Sequence, residues 1–322
     1  VMVVLQFSGG NDGLNTVIPI RNDIYYQSRP RLGIPKDKAL RLTDDAGINP
    51  ALPFLKELFE EGSLGIMNNV GYPNPDRSHF RSMDIWQTAS DSNQYITTGW
   101  IGRYLDAQCS GCDKPTQALE IDDVLSLALK GDINKALALR DPKRLFNSSH
   151  ERYFKEINAA HVHDHQEAAV DYLYKTLSET LSSADYIYEQ SGRHLSSQSY
   201  PATQLGKSLK TIFSLITSDI NTKVYYVSLG SFDTHVNQEN QQKRLFTELN
   251  DAMDAFVKDL KSNNRFQDVT IMTFSEFGRR VAQNASGGTD HGTANNMFFI
   301  GGGLKRKGIL NAMPDLSDLN EG

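Results

Sequence analysis

Acidic and histidine residues recur in this chain beside β-rich segments, where strand ends can bring distant parts of a chain into one crevice. They are Asp12, Asp233, His235, Asp290 and His291. Carboxylates and imidazoles are the side chains that bind zinc and the harder divalent cations. The set therefore predicts a metal centre with one or two divalent ions, and zinc, calcium, magnesium and manganese are the chemical options.

The spacing of these residues supports the interpretation. Asp233 and His235 are two positions apart, so in an extended chain both side chains point to the same side and can reach one cation. Asp290 and His291 are adjacent and flanked by glycines. Asp12 lies in a glycine-rich loop, where a tight turn with its own side-chain hydrogen bonds is the alternative.

A polar loop follows the β-rich segment 268–274. Glu276 is a further candidate ligand there, and Arg279 could hold a substrate anion through its planar pair of donors. The alternative is that both are ordinary charges of a surface loop.

Ser78 precedes a helical pattern that runs through Met83 and Trp86. A serine at a helix N-terminus lies in positive potential, which favours an attacking alkoxide and a bound anion. Arg77 and Arg81 could clamp that anion. The alternative is that Ser78 is only a helix cap and that the two arginines are solvated.

The elements that must position these residues are β-rich runs separated by helical patterns. The runs that predict strands lie at 1–7, 64–70, 223–228, 268–274 and 297–300. Several are almost wholly apolar, as parallel strands covered on both faces are. Amphipathic patterns predict a short helix over 50–61 and a crossover helix over 241–262. The fold class is therefore α/β, with a mostly parallel central sheet and helices on both faces.

The middle of the chain has a different pattern. From about 105 to 217 the strand signals thin out, and 164–190 predicts one long helix. We expect a largely helical insertion or cap at 105–217 within a single domain that spans 1–322.

Composition restricts the class of partner. The chain has 322 residues, is 39% hydrophobic and carries a net charge of −6, which argues against nucleic acid as the main partner and favours a small molecule. No apolar run approaches the roughly 20 residues that span a bilayer. The two cysteines, Cys109 and Cys112, predict a local disulfide or two free thiols, with redox or metal roles as alternatives.

Six motifs resemble the bacterial family called domain of unknown function 1501. They are GGNDGLNTVIP at 9–19, RSHFRSMDIWQTA at 77–89, TGWIGRYLD at 98–106, FDTH at 232–235, TFSEFGRRV at 273–281 and TDHGTA at 289–294. That family is similar to the alkaline phosphatase and sulfatase superfamily. The resemblance implies metal ligands at the carboxyl ends of a central sheet and a serine, threonine or modified cysteine nucleophile. Family members frequently carry a twin-arginine export leader, so it also implies a periplasmic or extracellular setting.

Motif by motif, the resemblance makes Asp12 a metal ligand, Ser78 the nucleophile, and Asp233 with His235 ligands of one metal. His291 resembles the late histidine of the same metal site.

The superfamily usually has an Asp-His pair after its late strand, whereas this chain has Ser275-Glu276. Either Glu276 replaces that pair, or Asp290-His291 is the pair.

We therefore expect a metal-dependent hydrolase or transferase that acts on phosphate or sulfate esters, small-molecule or glycan, through a serine nucleophile. The alternative is a secreted, non-catalytic binding or scaffold protein that retains the fold and at most one structural metal. A serine hydrolase of carboxylic esters is less favoured because the chain has no GxSxG nucleophile elbow.

Overall fold

The computed structural model describes residues 1–108, 115–133, 136–159, 168–192 and 196–319. Cys109 and Cys112 lie outside these ranges, so their pairing stays a prediction. No helix in the described residues is long and apolar enough to cross a membrane.

Strands and helices alternate along most of the chain. The strands are β1 (Met2–Phe7), β2 (Val17–Pro19), β3 (Leu40–Arg41), β4 (Ala46–Ile48), β5 (Leu64–Val70), β6 (Ala118–Glu120), β7 (Leu137–Ala138), β8 (Val224–Leu229), β9 (Thr270–Ser275), β10 (Arg279–Gln283), β11 (Thr289–His291), β12 (Asn295–Ile300) and β13 (Gly308–Ile309). The α-helices are α1 (Asp23–Ser28), α2 (Pro53–Glu60), α3 (His79–Thr88), α4 (Trp100–Gln108), α5 (Pro142–Ser149), α6 (Arg152–Ala159), α7 (Ala168–Ser191), α8 (Gln204–Thr217) and α9 (Gln238–Ser262).

An eight-stranded sheet forms the centre of the protein, in the order β13-β5-β12-β9-β1-β8-β6-β7. Strand β1 is parallel to both of its neighbours, and β6 and β7 continue the parallel arrangement beyond β8. Strand β12 is antiparallel to β5 and β9. The five predicted strands are present as β1, β5, β8, β9 and β12, and the predicted mostly parallel sheet is confirmed.

Side chains on both faces of the sheet are buried. In β1, Val3 and Leu5 pack in one cluster with residues of α8 and α9, whereas Val4 packs in a second cluster with Ile101 of α4. Burying one such side chain contributes about 1.5–3 kcal/mol. Helices therefore cover both faces, as the apolar strands predicted.

The crossover from β8 to β9 runs through α9. Its apolar stripe is buried along its full length, at Leu245, Leu249, Met253, Phe256 and Leu260. The parallel order β9-β1-β8 requires such a crossover, because a hairpin can join only antiparallel strands. The predicted helix over 241–262 is therefore confirmed.

Residues 105–217 contain α5 to α8 but also add two strands to the main sheet. Strand β6 pairs with β8, and β7 pairs with β6. The short strand β6, three residues long, gave no strand signal that the sequence patterns could separate from a loop. The division of the chain into a single domain with an insertion stays a prediction.

Candidate metal centre

The parallel strands end at one edge of the sheet, and the candidate residues follow these ends. In the register of the sheet, Phe7 of β1 lies beside Leu229 of β8 and Ser275 of β9. The loop after β8 carries Asp233 and His235, and Glu276 follows β9 directly. Strand β12 is antiparallel and begins at this edge, so the preceding β11 delivers His291 there as well.

Three imidazoles at this edge are held through their Nδ1 atoms. His79 donates to Glu276 Oε1 over 2.8 Å, and His235 donates to Asp290 Oδ1 over 3.1 Å. His291 donates to the backbone carbonyl of Arg77 over 2.8 Å. A carbonyl or carboxylate can only accept, so each Nδ1 carries the proton and each neutral ring keeps its lone pair on Nε2.

The three Nε2 atoms converge on one carboxylate oxygen. Asp233 Oδ1 lies 3.4 Å from Nε2 of His79, 3.1 Å from that of His235 and 3.3 Å from that of His291. Nε2 of His235 and of His291 are 2.9 Å apart. Several lone pairs therefore face one another and a carboxylate, an arrangement that a cation between them stabilises.

The donor set fits a divalent metal. Ligands about 2.0–2.1 Å from zinc in a tetrahedron are about 3.3 Å from one another, close to the separations of 2.9–3.4 Å seen here. No group in the described residues forms a hydrogen bond with the buried Nε2 of His79. The ligand atoms of His79, Asp233 and His291 all lie within 4.8 Å of one another.

Charge and burial set the protonation of these groups. Burial raises the pKa of the Asp233 carboxyl, but the hydrogen bond and charge of Arg279 outweigh burial, so that its pKa lies below the ordinary value. The hydrogen bond to Glu276 raises the pKa of His79, whereas burial lowers the pKa of His291. A histidine ring must be neutral to bind a metal ion. Because His79 retains its proton most readily, metal binding would displace a proton chiefly from His79.

Close backbone contacts fix the loop after β8. Gly9 has a φ of +118°, and a Cβ there would lie 2.5 Å from the backbone nitrogen of Asp233. A Cβ at Gly288 would lie 2.3 Å from the carbonyl group of His235. The loop after β8 is therefore held between two glycines that no larger residue could replace without moving it.

Helix α3 is fixed to the loop after β9. Ser82 Oγ and Trp86 Nε1 both donate to the carbonyl of Glu276, over 3.1 and 2.8 Å. The buried ring of Phe277 packs 4.8 Å from the His79 ring and 4.7 Å from the His291 ring, measured between centroids. These contacts position His79 at the start of the helix.

The carboxylate of Asp12 is bound by residues outside this cluster. Its two oxygens accept from Arg29 Nη1 over 2.6 Å and Nη2 over 3.0 Å, and further bonds come from Gln238 Nε2 and the Leu14 nitrogen. The side chain of Asp12 is 1% exposed. The glycine-rich loop thus ends in a buried ion pair and a 3₁₀ turn, Gly13–Asn15, that Asp12 caps.

Glu276 and Asp290 contact the cluster through histidines. Besides His79, the Oε1 atom of Glu276 accepts from the Gly9 nitrogen over 2.8 Å, and its side chain is 1% exposed. Asp290 is mostly exposed and accepts from His235 and Asn284. Both carboxylates hold the rings in place, a common arrangement around metal-ligating histidines.

Ser78 is exposed and immediately precedes α3, between two residues that contact the cluster. The carbonyl before it, from Arg77, holds His291, and the residue after it is His79. The Ser78 side chain makes no capping hydrogen bond to the helix. Ser78 is therefore adjacent in sequence to both of these contacts, and its hydroxyl group does not cap the helix.

Arg81 and Arg279 are engaged in other contacts. Arg81 donates to the carbonyls of Ser92 and Gln94 and lies 3.9 Å from the Tyr95 ring centroid. Arg279 has a fully buried side chain that donates to Asp233 over 2.8 Å. Its other donors go to four backbone carbonyls, those of Gly9, Gly10, Phe232 and Thr289.

Sequence reasoning missed His79. The motif Arg77-Ser78-His79 drew attention to the serine, although histidine is the commonest metal ligand among side chains. One signal could have found it, because a histidine at the first position of a helix after β5 lies at the same edge as Asp233.

The chain belongs to a family of proteins. The model of the family described as "Protein of unknown function (DUF1501)" matches residues 61–320. The motif at 9–19 precedes the matched part. No curated protein matches the chain. Family membership is thus established, and any activity must be argued from the site itself.

Several solved structures are similar to the chain at low identity. The zinc complex of the C-terminal periplasmic domain of EcEptC from Escherichia coli is 11% identical over 94% of this chain and 73% of its own, with a TM-score of 0.42. The lipoteichoic acid synthase LtaP from Listeria monocytogenes is 10% identical over 96% and 67%, with a TM-score of 0.43. Alkaline phosphatase from the Antarctic bacterium TAB5 is 11% identical over 93% and 91%, with a TM-score of 0.37.

Proposed function

We propose that this protein is a metal-dependent hydrolase or transferase of phosphate or sulfate esters, with Ser78 as the nucleophile. The observation that carries the proposal is the convergence of three Nε2 atoms on Asp233 Oδ1, each ring fixed through its Nδ1. A periplasmic or extracellular setting goes with it.

His79, Asp233, His235 and His291 would hold one divalent ion. A bound divalent ion supplies a Lewis acid that lowers the pKa of a hydroxyl and neutralises charge on a phosphoryl or sulfuryl group. We assign one ion because Asp12, which a second ion would need, is paired with Arg29. The metal is therefore zinc or another ion that accepts three imidazoles and a carboxylate.

The protein's own groups have separate tasks in this assignment. Ser78 supplies the attacking oxygen from a helix N-terminus, where free N–H groups favour an anion. Arg77 binds the oxygens of the ester group. Arg279 does not touch substrate: buried against five acceptors, it keeps Asp233 charged and in place.

The test combines metal content with turnover. Purified protein is loaded with zinc, manganese or calcium, its metal content is measured, and p-nitrophenyl phosphate, bis(p-nitrophenyl) phosphate and p-nitrophenyl sulfate are offered. We expect Ser78→Ala to keep the metal and lose at least about a hundredfold in turnover. The exposed Ser286→Ala is the matched control and keeps both. Full activity of Ser78→Ala on every ester cleaved would refute the serine's role.

One observation favours the second candidate, a binding protein with a structural metal. Four protein ligands would complete a tetrahedron, whereas catalytic zinc sites usually keep one position open. Against this, the side chains of Asp233 and His235 are 48% and 41% exposed, which structural sites rarely are. Stoichiometric metal without turnover of any of the three esters would establish the structural candidate instead.

A further inference from the structure

A cavity lies outside the candidate metal centre, between α8 and the start of α5. Its volume is about 460 Å³, within the range of small-molecule sites. The described residues of its wall include four basic residues and one acidic residue, and none of the four proposed metal ligands. The cavity is therefore a separate feature of the molecule with an excess of positive charge.

The basic residues come from two elements of the fold. Arg140 precedes α5, and Lys143 is in its first turn. Lys207 and Lys210 belong to α8. Thr211 is four positions after Lys207, so these side chains share one side of the helix, while the opposite side of α8 packs in the core. Cations from both helices thus border one concave space.

Three of the four cations lack an acidic partner. Arg140 pairs with Asp123 over 2.8 Å. Lys143, Lys207 and Lys210 are exposed, and none of them forms an ion pair within the described part of the chain. The chain as a whole carries a net charge of −6, so this group runs against its overall balance. Charges of one sign that line a concave surface focus their field into it and attract the opposite charge.

The other polar groups of the wall are compatible with an anion. The acidic residue, Asp141, caps α5 by accepting from the Arg144 nitrogen over 2.8 Å, where the helix dipole offsets its charge. Thr211 is half-buried, and no described residue forms a hydrogen bond with its hydroxyl group. This hydroxyl is a free donor beside the ammonium groups.

We propose that this cavity binds an oligoanion, a ligand with two or more phosphate or sulfate groups. One phosphate monoester carries about 1.5–2 negative charges at pH 7, fewer than the three free ammonium groups can offset. A neutral or cationic ligand would leave these groups unpaired. Such anions exist as small free molecules and as repeating groups of polymers. The site is separate from the ester chemistry proposed above, so each can be tested without the other.

The first experiment is a calorimetric titration of metal-free protein. The probes are tripolyphosphate as a small oligoanion, dextran sulfate as an anionic polymer, inorganic phosphate as a single anion and dextran as a neutral polymer. We expect tripolyphosphate or dextran sulfate to bind at least about tenfold more tightly than inorganic phosphate, and dextran not to bind.

The pattern of binding identifies the source of the anion. Binding of tripolyphosphate would support a small free ligand, and binding of dextran sulfate alone would support a polymer. The proposal would be overturned if neither bound, or if inorganic phosphate bound as tightly as the better of the two.

The second experiment uses variants matched in charge. Lys207→Gln with Lys210→Gln removes two of the three free cations and should weaken oligoanion binding about fivefold or more. Lys36→Gln with Lys305→Gln is the control, because it changes the net charge equally at two exposed lysines that do not line the cavity. It should bind as the unaltered protein does. Equal affinities in the two double variants would show that the anion does not recognise this cavity and would overturn the proposal.

A third pair of variants tests whether both helices contribute. Lys143→Gln removes the free cation of α5 and should weaken binding about two- to threefold. Lys155→Gln, at an exposed position of α6 that does not line the cavity, is the control and should have no effect. Equal affinities in these two variants would restrict the anion to the surface of α8 and overturn its assignment to the cavity.

Discussion

Asp12 and Asp233 follow neighbouring parallel strands at the same edge of the sheet, yet their surroundings differ. Asp12 is 1% exposed, and its two carboxylate oxygens accept hydrogen bonds from Arg29. Asp233 is 48% exposed, and its Oδ1 atom accepts one bond from Arg279 while it also faces three imidazoles. In this protein, the carboxylate that is available to a metal is the one whose arginine also donates to other acceptors.

A third carboxylate, at the end of β6, forms no ion pair with any residue in the described part of the chain. Glu120 is 2% exposed and accepts from the nitrogen and the hydroxyl of Ser126, both over 2.5 Å. Burial raises its pKa to about 7. Three adjacent strands thus end in, or are followed by, carboxylates in different surroundings: one is paired with an arginine, one faces histidines, and burial raises the pKa of the third.

The largest expected effect is on the buried pair. Arg29→Ala leaves Asp12 charged and unpaired in the interior, and we expect the free energy of unfolding to fall by about 3–5 kcal/mol. Urea unfolding measures it. Arg21→Ala is the control, because the Arg21–Asp45 pair is 57% and 68% exposed and such pairs contribute less than about 1 kcal/mol. Similar losses in the two variants would mean that the buried pair has no special role.

The next effect is the dependence of stability on pH. The folded pKa of Glu120, about 7, lies above the ordinary value of 4.5, so the folded state binds its proton more tightly. Its contribution is complete below pH 4.5 and is lost as the pH rises to 7, by at most about 3 kcal/mol. Glu120→Gln should remove this component. Parallel stability curves for the two proteins between these pH values would contradict it.

We expect measurements of metal affinity to distinguish the surroundings of Asp233 from those of Asp12. His235→Ala removes a proposed ligand, and we expect metal affinity to fall more than about a hundredfold. This loss exceeds the usual effect of changing a residue that only hydrogen-bonds to a ligand. Its half-exposed ring contributes little packing, so metal-free stability should change by less than about 1 kcal/mol. Competition with a chelator measures the affinity, and His150→Ala is the control. An unchanged affinity would exclude His235 as a ligand.

The smallest effect is expected for the carboxylate that holds His235. Asp290→Asn weakens the acceptor for Nδ1 and should reduce metal affinity by about 10- to 100-fold. The exposed Asp45→Asn, remote from the cluster in its pair with Arg21, should leave it unchanged. A loss larger than that of His235→Ala would indicate that Asp290 itself binds the ion.

Much of this arrangement could be predicted from local patterns. The five strands followed from apolar runs, and the two-residue spacing of Asp233 and His235 placed both side chains on one side. The convergence of His291 with them required only that strands end at one edge. Asp12 could not be assigned, because Arg29 lies 17 residues on, directly after the short helix α1, and nothing in the local pattern indicates that it is buried.

His79 shows the same limit of prediction from local sequence patterns. Its ring meets Asp233 and Glu276 across 154 and 197 intervening sequence steps, and only the anchoring of α3 through Ser82 and Trp86 brings them together.

The sequence by itself determined which residue types stand at the ends of the strands, because apolar periodicity and turn residues are local properties. Only the tertiary structure decided which carboxylate meets an arginine and which meets histidines. Those partners are chosen by loop paths and close glycine contacts between distant segments, and distances of about 3 Å between side chains leave no trace in local spacing.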